Sequence, residues 1–160
     1  MSADATPGLT RALLEGWAGY WAGLGFGEWR GSEGAFEDGE EVCSIMPGPL
    51  VATTSTAIAL QRIGEQHLPG RIIIITARAG VRLERDLNAA SDRIDALVDS
   101  LHEKRQLALG AVRFSLIQHA STAYLGQTGD GRPEYALTFR FRGGDASRQP
   151  GLQPPASAGG

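Results

Sequence analysis

"LERDLNAASDRIDALVDSLHEK", residues 83–104, decides how this chain is read. Leu83, Leu87, Ala90, Ile94, Leu97, Val98 and Leu101 recur at steps of three and four. Arg85, Asp86, Asp92, Arg93, Asp95 and Asp99 fill the other face. That period predicts an amphipathic helix from about Leu83 to Lys104. Burying Leu87, Ile94, Leu97, Val98 and Leu101 would be worth on the order of 10 kcal/mol as an upper bound, so this helix is expected to be the structural pillar. Asp92, Asp95 and Asp99 have the look of a ligand cluster, but acids on the polar face of such a helix read as solvated charge.

Strand signals flank the helix. Upstream, "EVCSIMP" is a strand candidate, and "TAIALQRI" (56–63) and "RIIIITARA" (71–79) are separated by a Gly/Pro-punctuated turn, which reads as a hairpin. The isoleucine run lacks polar alternation, so both its faces are expected to be covered. Downstream, Gly110 punctuates and "AVRFSLIQ" (111–118) reads as a strand. In "EYALTFRFR" (134–142) Tyr135, Leu137, Phe139 and Phe141 share one face, and Glu134, Ala136, Thr138, Arg140 and Arg142 the other. These last two strands should pair antiparallel. Between them "ASTAYLGQTGDGRP" (120–133) reads as a loop with the turn signal Asp130-Gly131 and few apolar anchors, mobile in the free protein and ordered on assembly.

Toward the N-terminus a helix is expected from about Thr6 to Leu24, capped by Thr6 with Pro7 in its first turn. Leu9, Leu13, Trp17, Tyr20, Trp21 and Leu24 make its apolar stripe. Such a stripe is core, with a partner-binding role for Trp17 or Trp21 as the alternative. Gly16, Gly19 and Gly23 weaken the helix by up to about 1 kcal/mol each and let a neighbouring element come close. Residues 25–40 are glycine-rich and acidic, without periodicity, and read as a solvated loop or one that orders against a neighbouring subunit.

The predicted fold is therefore α+β: a mostly antiparallel sheet of about four to five strands, a long amphipathic helix packed on one face, and an N-terminal helix. A chain of 160 residues is expected to make one domain, residues 1–143, followed by a flexible Gly/Pro/Ser-rich tail, 144–160.

Composition narrows function. Apolar content of 42% and charged content of 21% are those of a globular protein. A net charge of −3 supplies no global basic field for nucleic acid. No apolar run approaches a membrane span and no signal peptide is evident, so a soluble intracellular product is expected. The single cysteine, Cys43, precludes an internal disulfide and a multi-thiolate zinc site. Cys43 reads as a small hydrophobe rather than half of a Cys–His dyad. His67, His102 and His119 have no ligand spacing. No nucleophile elbow, phosphate loop or zincin motif is present. No catalytic residue, metal or cofactor is expected.

The run "IMPGPLVATTSTAIAL", "RIIIITARA", "LNAASDRIDALVDSLH", "AYLGQTGDGRPEYALTFRFR" resembles the tail terminator (minor capsid or tail-completion) proteins of long-tailed bacteriophages. The residues that carry the resemblance are Pro47 and Pro49 at a bend, Arg78 on a strand, and the segment Tyr124, Leu125, Gly126, Asp130, Gly131, Arg132 and Tyr135. It spans about residues 8 to 142; the bend departs from the family in having only Gly48 between its prolines. The resemblance implies a non-enzymatic virion protein. It would form a homohexameric ring that caps the tail tube protein, ends its polymerisation and meets the head connector or stopper. DNA would pass through the lumen without sequence-specific binding, and no membrane is involved. The 120–133 loop would be an interface element, with Tyr124, Leu125, Gly126, Arg132, Arg140 and Arg142 as candidate interface residues. Another neck or head-completion adaptor and a small enzyme of unrecognised chemistry are the alternatives.

Overall fold

The computed structural model describes residues 8–31, 34–37, 40–50 and 54–144. The element order is α1 (Leu9–Gly23), β1 (Glu40–Pro47), β2 (Thr54–Leu68), β3 (Ile72–Arg82), α2 (Leu87–Asp99), β4 (Lys104–Leu109), β5 (Val112–Gln127) and β6 (Pro133–Gly144). All six strands form one sheet in the order β1-β2-β3-β6-β5-β4. β1 pairs parallel with β2; the other neighbours are antiparallel. The sheet is mixed and curled. Bulges at Arg62/Gly64 in β2 and at His119/Ser121 and Tyr124/Gly126 in β5 bend the longest strands.

The expected four- to five-stranded, mostly antiparallel sheet under a long helix is thus corrected to six strands in a mixed sheet with two modest helices. The error began at the stretch 83–104. Asp86 caps α2, its carboxylate accepting from the amides of Asn88 at 2.9 Å and Ala89 at 3.4 Å. Residues 83–86 therefore precede the helix. Leu83 is fully buried, as a continuation of β3, and Leu87 is 59% exposed. At the other end Ser100 is the C-cap and Glu103 takes a positive φ of 61°. The chain then turns into β4, whose polar "KRQ" start carries no strand signature because it lies exposed on a sheet edge. Of the five aliphatics expected to be buried, Leu97 and Leu101 are fully so, while Ile94 and Val98 are partly buried.

The pillar is α1 instead. Leu13, Trp17, Ala18 and Trp21 are fully buried, and Trp17 sets its ring against Phe139 and Phe141 of β6 at centroid distances of 5.6 and 5.1 Å. The two tryptophans are core, and Leu24 at the helix end is exposed. The C-cap of α2 is tied to α1: Trp21 Nε1 donates to Ser100 Oγ at 2.7 Å, and Tyr20 Oη to the Ser100 carbonyl at 2.9 Å. α1 starts after Gly8, and the caps expected at Thr6 and Pro7 lie outside the described residues, as does the tail from 145.

The connection 48–53 between the parallel strands is far shorter than the dozen or more residues usual for such a crossover. Gly48 donates to the Leu60 carbonyl at 2.9 Å, and Leu50 lies over Gly80 on the sheet face opposite α1. Ala59 and Ala136, the register neighbours of Gly80, are buried there. The rest of that face is not so covered. Along β3, Ile73 and Ile75 point into the core, while Ile72 and Ile74 are only half-buried. The isoleucine run is thus fully covered on one face, not both. The segment expected to be a solvated loop, 25–40, runs in part beside β1: Glu28 donates to the Cys43 carbonyl and accepts from the Ile45 amide. Phe36 is buried beneath the Arg30 guanidinium.

Candidate interface site

The site expected from sequence is a hairpin end, not a loop of fourteen residues. β5 continues through Gln127 and pairs with β6 to its base, so Tyr124 stands opposite Tyr135 and Gln127 opposite Pro133. Only residues 128–132 turn. The reading of 120–133 as a mobile loop is corrected accordingly. The cause is pairing: "ASTAYLG" has little apolar content of its own, but β6 satisfies its backbone.

Leu125 is the extra residue of the second bulge in β5, and Gly126 takes φ +117°, a conformation that favours glycine. The bulge sets Tyr124 and Leu125 side by side at 58% and 54% exposure. The Tyr124 ring does touch its own sheet, 5.4 Å from the Tyr135 ring, yet most of it faces solvent.

The turn below them is braced. Thr128 donates its amide to the Arg132 carbonyl at 2.9 Å, and the Gly131 amide donates back to Thr128 at 2.9 Å. Asp130 accepts from the Thr128 hydroxyl, from Arg85 Nη2 at 3.1 Å and from Arg132 Nε at 3.2 Å. These donors, Thr128 first and then the two guanidinium groups, hold the Asp130 carboxyl down at about 2. Arg85 also reaches the Asp130 carbonyl at 2.6 Å, which fastens the turn to the segment leading into α2. Leu83 donates its amide to the Pro133 carbonyl at 3.0 Å, and Arg82 pairs with Glu134 at 3.0 Å.

The structure thus brings together Tyr124, Leu125, Gly126 and Arg132, with Arg132 drawn inward as a brace. Arg140 and Arg142 lie elsewhere, exposed on the far half of β6. Arg85 and Thr128 are the contributors that sequence reasoning missed. Arg85 fits the polar face of a helix by sequence spacing alone, and the signal against that is Asp86 behind it, a capping residue in the wrong place for a helix interior.

Elsewhere, burial pushes the Cys43 thiol up, which disfavours a thiolate nucleophile. His102 and His119 are brought together, the His119 amide donating to His102 Nδ1 at 3.0 Å. Asp92, Asp95 and Asp99 are exposed. Among the described residues there is no group of three or more His, Cys, Asp or Glu placed to hold a metal ion, and no helix is long and apolar enough to cross a membrane. No protein-family model matches the chain, and no curated protein does so either.

Proposed function

We propose that this chain is a ring-forming tail terminator of a long-tailed bacteriophage. It caps the tail tube, ends its polymerisation and joins the tail to the head connector, with DNA passing through a six-copy ring in the virion. The observation that supports the reading is the hairpin tip. Of the residues that carry the resemblance, the segment Tyr124, Leu125, Gly126, Asp130, Gly131, Arg132 and Tyr135 lies along one braced turn and its flanking strands, while Pro47, Pro49 and Arg78 lie outside it. The bulge in β5 beside that turn holds two large apolar side chains out in solvent. Exposed apolar groups on a rigid support cost solubility in an isolated monomer and favour docking into a partner.

The test is the double substitution Tyr124→Ser/Leu125→Ser. The purified variant keeps its melting temperature but fails to join tails to heads, leaving long tails and unattached full heads. Early melting of the variant would make the tip a piece of the core. Normal particles from it would remove the tip from the assembly.

A further inference from the structure

The side of the sheet turned away from α1 carries four arginines in register. One row across the strands reads Ile74, Arg142, Leu116, Arg105; the next reads Thr76, Arg140, Gln118; a third reads Gln61, Arg78, Thr138, Ser121. Arg78, Arg105, Arg140 and Arg142 are all exposed. Among the described residues, Glu134 lies on the same face of β6 and pairs with Arg82 at 3.0 Å, while Glu103, just before β4, is exposed and 3.8 Å from His102. Among the described residues no carboxylate pairs with any of the four, and Arg78 has only a 3.5 Å contact with Gln61. At the end of the row a hollow of about 450 Å³ is lined by Arg105, Arg142, Gln106 and Ser115 among others.

We propose that this face binds the sugar–phosphate backbone of duplex nucleic acid without reading its sequence. The chain carries a net charge of −3, so four guanidinium groups without acidic partners among the described residues make a local field opposed to the global one. Arg140 and Arg142 are two strand residues apart, about 6.7 Å, and Arg142 and Arg105 two strands apart, about 9.6 Å. Charges are thus offered repeatedly across several strands rather than concentrated for one small anion. Between them stand Thr76, Gln118, Ser121 and Thr138, neutral donors of the kind that contact phosphate and sugar. Guanidinium suits phosphate oxygens, which it can meet two at a time. None of the residues in these rows is aromatic, so stacking on unpaired bases has no platform here, which favours a duplex over a single strand. The same lack of a central aromatic anchor disfavours an acidic protein surface. The inference rests on the chain's own sheet and goes beyond the ring reading, which asks only that DNA pass.

The experiment is fluorescence anisotropy of a labelled mixed-sequence duplex titrated with the full chain across a salt series. Binding is expected at low salt, with log K falling linearly against log salt by about 0.9 per phosphate neutralised. Arg140→Gln/Arg142→Gln reduces affinity roughly tenfold or more and flattens the slope by about one per arginine removed. Arg105→Gln and Arg78→Gln act in the same direction singly, which keeps the test open should the double variant not fold. Arg11→Gln, on α1 at the opposite face, leaves binding unchanged. A second duplex of different sequence binds equally. Absence of binding at low salt, or equal weakening by Arg11→Gln, overturns the proposal. Displacement of the duplex by polyglutamate at equal charge also overturns it, and assigns the face to an acidic protein.

Discussion

Gly16 and Leu109 meet backbone to backbone: a Cβ placed on Gly16 would stand 2.2 Å from the Leu109 carbonyl oxygen. The turn between β4 and β5 therefore presses on the middle of α1, and Gly110 lies on the same contact, within 3.0 Å of that Cβ position. In an isolated helix, replacing glycine by alanine would gain up to about 1 kcal/mol. Here the methyl meets main chain that cannot swing aside. Gly16→Ala is expected to lower stability by about 1–3 kcal/mol, as overpacking does. A denaturant titration with an unchanged or raised midpoint would show that the helix and turn are not in contact.

Leu97 and Asp95 separate the two faces of α2. Leu97 is fully buried, and Leu97→Ala is expected to cost about 2–5 kcal/mol. Asp95 is exposed, and Asp95→Ala should stay within about 0.5 kcal/mol. Comparable melting shifts for the two would show that the helix face has been misassigned.

Ser100 is the knot between the helices, accepting from Trp21 Nε1 and donating to the Leu97 carbonyl at 2.7 Å. Ser100→Ala leaves the fully buried Trp21 ring with an unpaired N–H, for a loss of about 1–3 kcal/mol. Trp21→Phe/Ser100→Ala removes donor and acceptor together, so its hydrogen-bond loss should fall short of the sum of the single changes. Strict additivity in that cycle would mean that the bond contributes nothing.

Asp130 ties the hairpin tip to acid conditions. Its carboxyl is lowered from 3.8 to about 2, so the ionised form is the one the fold favours. Its contribution is complete above about pH 4 and is lost as pH falls through the folded value near 2. Amide exchange at Gly131 and Arg132 should therefore accelerate, relative to amides in β3, as pH drops across that window. In Asp130→Asn the acid step should vanish; its persistence would place the responsible group elsewhere.

Single elements were legible where short-range pattern and long-range packing agreed, but the six-stranded mixed sheet was not. The stripe of α1 from Leu9 to Trp21 and the alternation from Tyr135 to Phe141 bury the face that their periodicity names, and β2 and β3 pair as the hairpin expected. The candidate site was legible in part: Tyr124 and Leu125 stand exposed together, but Arg140 and Arg142 lie on another surface. The boundaries of α2 were not legible, because Leu83 and Leu101 fit a helical rhythm equally well from outside the helix. What separates them from it is Asp86 capping at one end and the positive φ of Glu103 at the other. Tertiary structure also decided three things that no local pattern carries. β1 lies parallel to β2, with Leu50, just past the end of β1, set over Gly80 of β3. Residues 120–127 are strand because β6 offers them hydrogen-bond partners. The four arginines share a face because register, set across four strands, aligns residues far apart in sequence. Periodicity within a segment tells which side chains share a side of that segment; only pairing between segments tells what that side meets.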